Sequence, residues 1–274
     1  MNSKTLAIFT RTPLHVGAGS SVTAVDQPVQ RERHTGHPVI PGSAVKGVLR
    51  AHFRTRVPDC VKQLFGPAPE ENADDDAEAG ALSFSEARPV LFPVRSAKGA
   101  YALITCPLAL SRFLRDTGAE FEVPADPGDN NCLSGSTVNF GEKVVLEEYA
   151  FSHKGDFPED LASHLSNNLL DDAVLKAAEK RYVLLSDGNF AHFARNACEV
   201  RQHVGINPET GTAKKGALFN EECVPAETLF YSTLSVLRNA DEDNVVFKDL
   251  AAEQLIQFGG DATTGLGFCA TKLF

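Results

Sequence analysis

Residues 5–50, TLAIFTRTPLHVGAGSSVTAVDQPVQRERHTGHPVIPGSAVKGVLR, carry the reading on which the fold turns. The opening TLAIFTRT (5–12) is rich in β-branched and apolar residues and runs into Pro13, as a first core strand does. From His15 to Pro41, glycines at 17, 19 and 36 and prolines at 28, 38 and 41 leave no helical period, so the stretch reads as one extended loop. Residues 42–57 (GSAVKGVLRAHFRTRV) then read as a helix: Ser43 is the expected N-cap, Val45, Leu49 and Phe53 recur every four residues, and Pro58 is the expected stop.

Further along, residues 81–94 look like strand material with an internal turn, and Tyr101–Thr105 like another strand. Pro107 opens a helix with Leu108, Phe113 and Leu114 on one side. VVLEEYAF (144–151) reads as a strand, followed by a helix from Pro158 through Leu161, Leu165 and Leu169 to Ala178. The last third holds strand-like YVLLSD (182–187), a polar excursion from Val204 to Gly216, an apolar return at Leu229–Leu237 and a final helix at 246–258. Strands and helices are interspersed without regular alternation, which favours an α+β fold over a doubly wound sheet.

The chain has 274 residues, 43% of them hydrophobic, enough for a sizeable core. Its six cysteines form no C-x-x-C pair and have no histidine at zinc-finger spacing, so reduced thiols in a cytoplasmic protein are expected. The apolar run Leu6–Phe9 is too short for a signal-peptide core, and no later run approaches a membrane span. A net charge of −10 argues at first against a polyanionic partner, but residues 1–60 carry +5 and the remainder −15. The acidic segment Glu70–Glu78 reads as a solvated loop and supplies six of those negative charges.

Three clusters carry chemistry. Lys46, Arg50 and Arg54 stand four residues apart, a stripe able to track phosphates, beside a helix N-terminus at Gly42 and Ser43 that attracts anions. Taken alone, such a stripe also suits a solvated helix face. Glycine gathers at Gly17 and Gly19 and at 259–267 (GGDATTGLG), but neither run is G-x-G-x-x-G opening a helix or a P-loop, which leaves dinucleotide and ATP binding unsupported. Asp26 is the only acid before Glu32, in a loop that also offers His15 and Arg31. A lone loop carboxylate is ordinarily solvated, so chemistry by itself assigns Asp26 no role.

The run PLHVGAGSSVTAVDQPVQRERHTGHPVIPGSAVKGVLR (13–50), the block GALFNEECVPAETLFYS (216–232) and the terminal GGDATTGLG resemble the RAMP superfamily, in particular the backbone nuclease subunits of Cmr-type, type III-B CRISPR effector complexes. Residues 60–200 match only loosely. The resemblance implies a single domain with a ferredoxin-like core related to the RNA-recognition fold. It also implies a helical lid and insertions over about 60–200 and a β-hairpin thumb over about 203–231. The implied partners are a guide RNA (crRNA), a single-stranded target RNA, further copies of the chain and other subunits of the complex, with no membrane.

Residue by residue, the resemblance implies guide-backbone contacts at Gly42, Ser43, Lys46 and Arg50, with Arg54 continuing their stripe. RNA-facing positions are implied at Gly17, Gly19, Arg31, Gly260, Thr263, Thr264, Gly265 and Gly267. Asp26 matches the catalytic aspartate, with His15, Glu227 and Tyr231 in flanking motifs. A divalent ion, Mg or Mn, binding with substrate near Asp26 is expected, since magnesium commonly keeps its waters and uses phosphate oxygens as ligands. Two alternatives remain open at this stage: a non-cleaving structural subunit, and a metal-independent guide-processing ribonuclease with His15 or His34 as base.

Overall fold

In the computed structural model, which describes residues 3–22, 24–67, 79–238 and 245–274, strand β1 (Ser3–Thr10) is buried on both faces. Period-two geometry divides its side chains: Leu6 and Ile8 enter one core cluster, Ala7 and Phe9 the other. β1 pairs antiparallel with β11 (Leu229–Val236) on one side and β13 (Phe268–Leu273) on the other. β3 (Arg88–Arg95) joins β11, which sets the order β13-β1-β11-β3. Helix α1 (Gly42–Phe53) follows β1, and helix α7 (Val245–Ala251) follows β11. This order is compatible with the βαββαβ arrangement of a ferredoxin-like core, and the expected mixed class of strands and helices holds.

The sheet lies between two helical layers. Val45, Leu49 and Phe53 of α1 share a cluster with Leu6, Ile8 and the α7 residues Val246, Phe247 and Leu250. Helices α3 (Pro107–Thr117) and α4 (Glu159–Asn167) cover the other face with Leu110, Phe113, Leu161 and Leu165. Leu49 is fully buried, so truncation to alanine costs about 2–5 kcal/mol. Beyond β3 the sheet continues through β4 (Tyr101–Thr105), β8 (Tyr182–Leu184), β5 (Asn131–Ser134), β7 (Tyr149–Asp156) and β6 (Lys143–Leu146). The β4–β8 and β5–β7 pairs are parallel. β2 (Leu82–Phe84) pairs with β11, and β12 (Gln254–Gln257) closes the far edge against β13.

A separate antiparallel hairpin is built from β9 (Glu199–Ile206) and β10 (Ala213–Cys223). Val204 faces Leu218 across it, and Val200, Val204, Ile206 and Leu218 are all exposed. The hairpin thus spans residues 199–223, whereas Leu229–Tyr231, at the end of the expected 203–231 stretch, belong to β11 of the main sheet. Region 60–200 supplies β3, β4 and β8 to that sheet.

Local expectations are corrected in several places. Ser43 does not cap α1; Pro41 occupies that position with no side-chain cap bond. Pro58 does not end a helix but begins α2 (Pro58–Phe65), where the missing N–H is harmless. Residues 144–151 are two strands of a hairpin that turns at Glu147 with φ 49°. The helix from Pro158 breaks after α4 and resumes as α5 (Ala173–Ala177), capped by Asp172 accepting from the Val174 and Leu175 N–H groups. The final helix stops at Ala251, and the residues after it form β12. Helix α6 (Asp187–Asn196) was not foreseen. Glu70–Glu78 lies outside the described residues. All six cysteines are unpaired, and among the described residues no helix is long and apolar enough to cross a membrane.

Candidate functional site

Residues 16–30 double back on themselves. The Ala18 N–H donates to the Pro28 carbonyl (2.8 Å), the Gln30 N–H to Val16 (2.8 Å), and the Ser21 N–H to the Asp26 carbonyl (2.8 Å). The returning limb runs along the base of the hairpin and joins it through one parallel bridge, Gln27 opposite Glu221, with the Gln27 N–H donating to the Asn220 carbonyl (3.1 Å) and the Glu222 N–H to Gln27 (2.9 Å). Asp26 sits where that limb meets β10. Its N–H donates to Asn220 Oδ1 (2.6 Å), and its Oδ2 accepts from the Asn220 N–H (2.8 Å). The carboxylate is exposed but held, which corrects the expectation of a merely solvated loop acid.

His15, by contrast, is 7% exposed. Its Nδ1 lies 2.7 Å from the Glu222 carbonyl, a group that only accepts, so Nδ1 carries the proton and Nε2 is left as the free nitrogen. A β-carbon on Gly17 would stand 2.7 Å from that Nε2, so only glycine lets the loop pass so close. The Gly260 N–H donates to the His15 carbonyl (2.9 Å). Thus the first loop, the hairpin base and the C-terminal glycine loop meet at His15.

Beneath it Glu221 is 1% exposed, and a buried carboxylate is costly unless its oxygens find donors. Oε1 lies 3.3 Å from His15 Nδ1 and Oε2 3.0 Å from His203 Nε2. Cys223 donates to Oε1 at 3.6 Å, and burial pushes its thiol up to about 12, keeping it neutral. Donor atoms of His15, Glu221 and Cys223 lie within 4.8 Å of one another. Of these contacts only the one from Cys223 has hydrogen-bond geometry, and His203 Nε2 is a buried nitrogen without a hydrogen-bond partner, so the trio is a buried polar cluster that is only partly satisfied.

Arg31 is not free for RNA. Its guanidinium donates to the Gly36 and Ala194 carbonyls, both at 2.9 Å, and to Glu222 Oε1 at 2.5 Å. Glu222 Oε2 in turn accepts the Val29 N–H (3.0 Å), so the pair braces the loop from inside. Tyr231 is also withdrawn from the site. It is 3% exposed, packs edge-on to Phe113 and donates to Asp116 Oδ2 (2.8 Å), sharing no partner with Asp26 or His15. Glu227 occupies the β10–β11 connection with φ 63°. Burial, then the Asp172 and Glu199 charges, raise its carboxyl above the ordinary range.

On α1 the stripe is present: Val45, Leu49 and Phe53 face inward, while Lys46, Arg50 and Arg54 form no ion pair among the described residues. Arg50 Nε is buried with no acceptor. Gly42 lets the helix start abut β2, since a β-carbon there would lie 2.4 Å from the Phe84 carbonyl oxygen. An open cleft of about 540 Å³ runs past Gly42, Ser43 and Lys46. In the glycine loop, Gly260, Thr263, Thr264 and Gly265 are exposed, whereas Gly267 is buried. Gln257 Nε2 clasps that loop from within 2.9–3.2 Å of the Phe258, Gly259, Gly260 and Leu266 carbonyls. Gly19, with φ 92°, lies exposed in open space. Sequence reasoning missed Asn220, Glu221 and His203, although two acids side by side on an apolar-flanked strand (NEEC, 220–223) were a usable signal.

The "CRISPR system Cmr endoribonuclease Cmr4" of Pyrococcus furiosus is 35% identical over 286 residues, spanning 100% of this chain and 96% of that protein. A crystal structure of Cmr4 matches with a TM-score of 0.77 at 29% identity, over 100% of this chain and 99% of that one. Oligomeric Cmr4 from Pyrococcus furiosus matches with a TM-score of 0.76 at 27% identity, over 100% and 98%. The family model for the RAMP superfamily spans residues 8–270, from inside β1 to inside β13, and the chain belongs to that superfamily.

Proposed function

We propose that this chain is a guide-RNA-binding backbone subunit of a cytoplasmic type III-B CRISPR effector complex, and that it cuts the target RNA at regular intervals. The observation that carries the reading is an exposed Asp26 carboxylate fastened to the base of a projecting hairpin. The named activity of the Pyrococcus furiosus relative supports it, as does the oligomeric Cmr4 structure, for a chain that assembles with further copies of itself.

The guide backbone follows the α1 stripe, where Lys46 and Arg50 have charge to spare. The hairpin acts as a thumb that displaces a base from the guide–target duplex and kinks the neighbouring phosphodiester. The adjacent ribose 2′-hydroxyl attacks that phosphorus in line; the new 2′-O–P bond forms as the 5′-O–P bond breaks, and the leaving 5′ oxygen takes a proton from water, giving a cyclic phosphate and a 5′-hydroxyl. Asp26 takes the 2′-hydroxyl proton or orients the group that does. Its Oδ1 has no partner among the described residues, so that oxygen of Asp26 would be the one to hold a divalent ion. When bound, that ion offsets charge on the phosphate oxygens. His15, with Nε2 free behind Gly17, and Glu227 hold supporting positions.

Guide processing through His34 draws no support, because its ring leans on Glu32 (3.5 Å) and Arg112 (3.1 Å). The direct test is purification of the native complex. Small RNA of regular length should co-purify, and target cleavage should require divalent ion; absence of any bound RNA would overturn the assignment.

A further inference from the structure

We infer that Asn220 is the positioning residue for Asp26, so that the hairpin and the carboxylate move as one unit. The inference rests on the reading of Asp26 as catalytic and deepens it. Asn220 lies 194 residues from Asp26 in the chain, yet three hydrogen bonds join its main-chain N–H and side chain to residues 24–26. The Asp26 N–H donates to Oδ1 (2.6 Å), Nδ2 donates to the Ala24 carbonyl (3.1 Å), and the Asn220 N–H donates to Asp26 Oδ2 (2.8 Å). An amide N–H only donates and a carbonyl only accepts, so these partners fix the orientation of the Asn220 amide.

The chemistry singles out asparagine. The position needs an acceptor and a donor on one short planar group. An ionised aspartate would offer two acceptors beside a second carboxylate, and serine cannot reach both partners. The third bond, to an ionised oxygen, is charge-assisted and stronger than a neutral one. It holds Oδ2 against β10 and leaves Oδ1 outward. The Gln27 and Glu222 main-chain bonds extend the seam by two more residues. Any shift of the hairpin as it enters a duplex therefore carries Asp26 with it, keeping the carboxylate in register with the phosphate that the same hairpin exposes.

The test uses complexes reconstituted with wild-type, Asn220→Ala, Asn220→Asp or Asp26→Asn subunit. It measures single-turnover cleavage at saturating target, target affinity, and hydrogen exchange at the Asp26 amide. Asn220→Ala should slow cleavage by about 10- to 100-fold, the scale of a misplacement near 1 Å. Target affinity should stay within about twofold, and the Asp26 amide should exchange faster. Asn220→Asp, which keeps one acceptor but adds a like charge, should be no faster than the alanine variant. Cleavage by Asn220→Ala at the wild-type rate, with Asp26→Asn inactive, would overturn the inference and leave the reading of Asp26 standing. Slower cleavage accompanied by lost target affinity or unchanged Asp26 exchange would overturn it too. Full cleavage by Asp26→Asn would remove the catalytic reading itself.

Discussion

Gly259 approaches His15 so closely that a β-carbon on residue 259 would stand 2.1 Å from the His15 carbonyl oxygen. The two residues come from opposite ends of the chain, and their contact seats the C-terminal glycine loop on the first loop. Gly259 also has φ +74°, whereas Gly265, at φ +87°, has nothing near it. Gly265→Ala should therefore lose only the conformational cost of about 1–2 kcal/mol. Gly259→Ala adds a backbone clash and should lose clearly more in denaturant unfolding. Equal losses would mean that the close approach is not a constraint.

The α1 stripe makes a prediction about salt. Lys46→Ala combined with Arg50→Ala should weaken guide binding across all guide sequences and lower the log–log salt slope by about 0.7 for each phosphate contact removed. Filter binding across a salt series reads both. An unchanged slope would take these residues off the phosphate path.

Glu227 gives a pH signature whose sign is fixed. Burial, then Asp172 and Glu199, raise its carboxyl above 4.5. The folded chain thus binds this proton more tightly than the unfolded chain, and ionisation costs stability as pH rises through the folded value. Below the unfolded value the penalty is absent. Glu227→Gln should accordingly raise Tm at pH 8 and leave it nearly unchanged at pH 4. If Glu227 also supports cleavage, the same variant will be more stable yet slower.

Deleting residues 208–215 should leave the core intact while disturbing the regular spacing of target cleavage. The segment is exposed, and the hairpin is a sheet of its own. An unaltered ladder of products would show that the hairpin is not the base-displacing element.

Where sequence pattern and burial agree, the chain was legible. The strand Tyr101–Thr105 and the helix from Pro107 appear where an apolar run and a proline put them. Legibility failed where burial is not the organising force. β9 exposes Val200, Val204 and Ile206, so its alternation marks no core face, and the polar stretch after it looked like a loop. The turn at Glu147 carries a positive φ without glycine and gave no punctuation between β6 and β7. At the site, Asp26, His15 and the glycine loops were legible as residues. Their roles came from family resemblance, because the bonds that hold Asp26 reach a partner 194 positions away, beyond any local period. Arg31 stood in the polar loop and Tyr231 in a motif of the resemblance, but hydrogen bonds to Glu222 and Asp116 commit them to internal partners.

The measurement that bears most directly on the central claim is target-RNA cleavage by complexes carrying Asp26→Asn, with and without divalent ion, alongside target binding. The substitution keeps the size of the side chain and one acceptor for the Asn220 N–H, and an exposed carboxylate contributes little to stability. Cleavage should fall by orders of magnitude, on the order of 100-fold or more, while guide and target affinity remain near wild type. Cleavage at the wild-type rate by the Asp26→Asn complex would contradict the account.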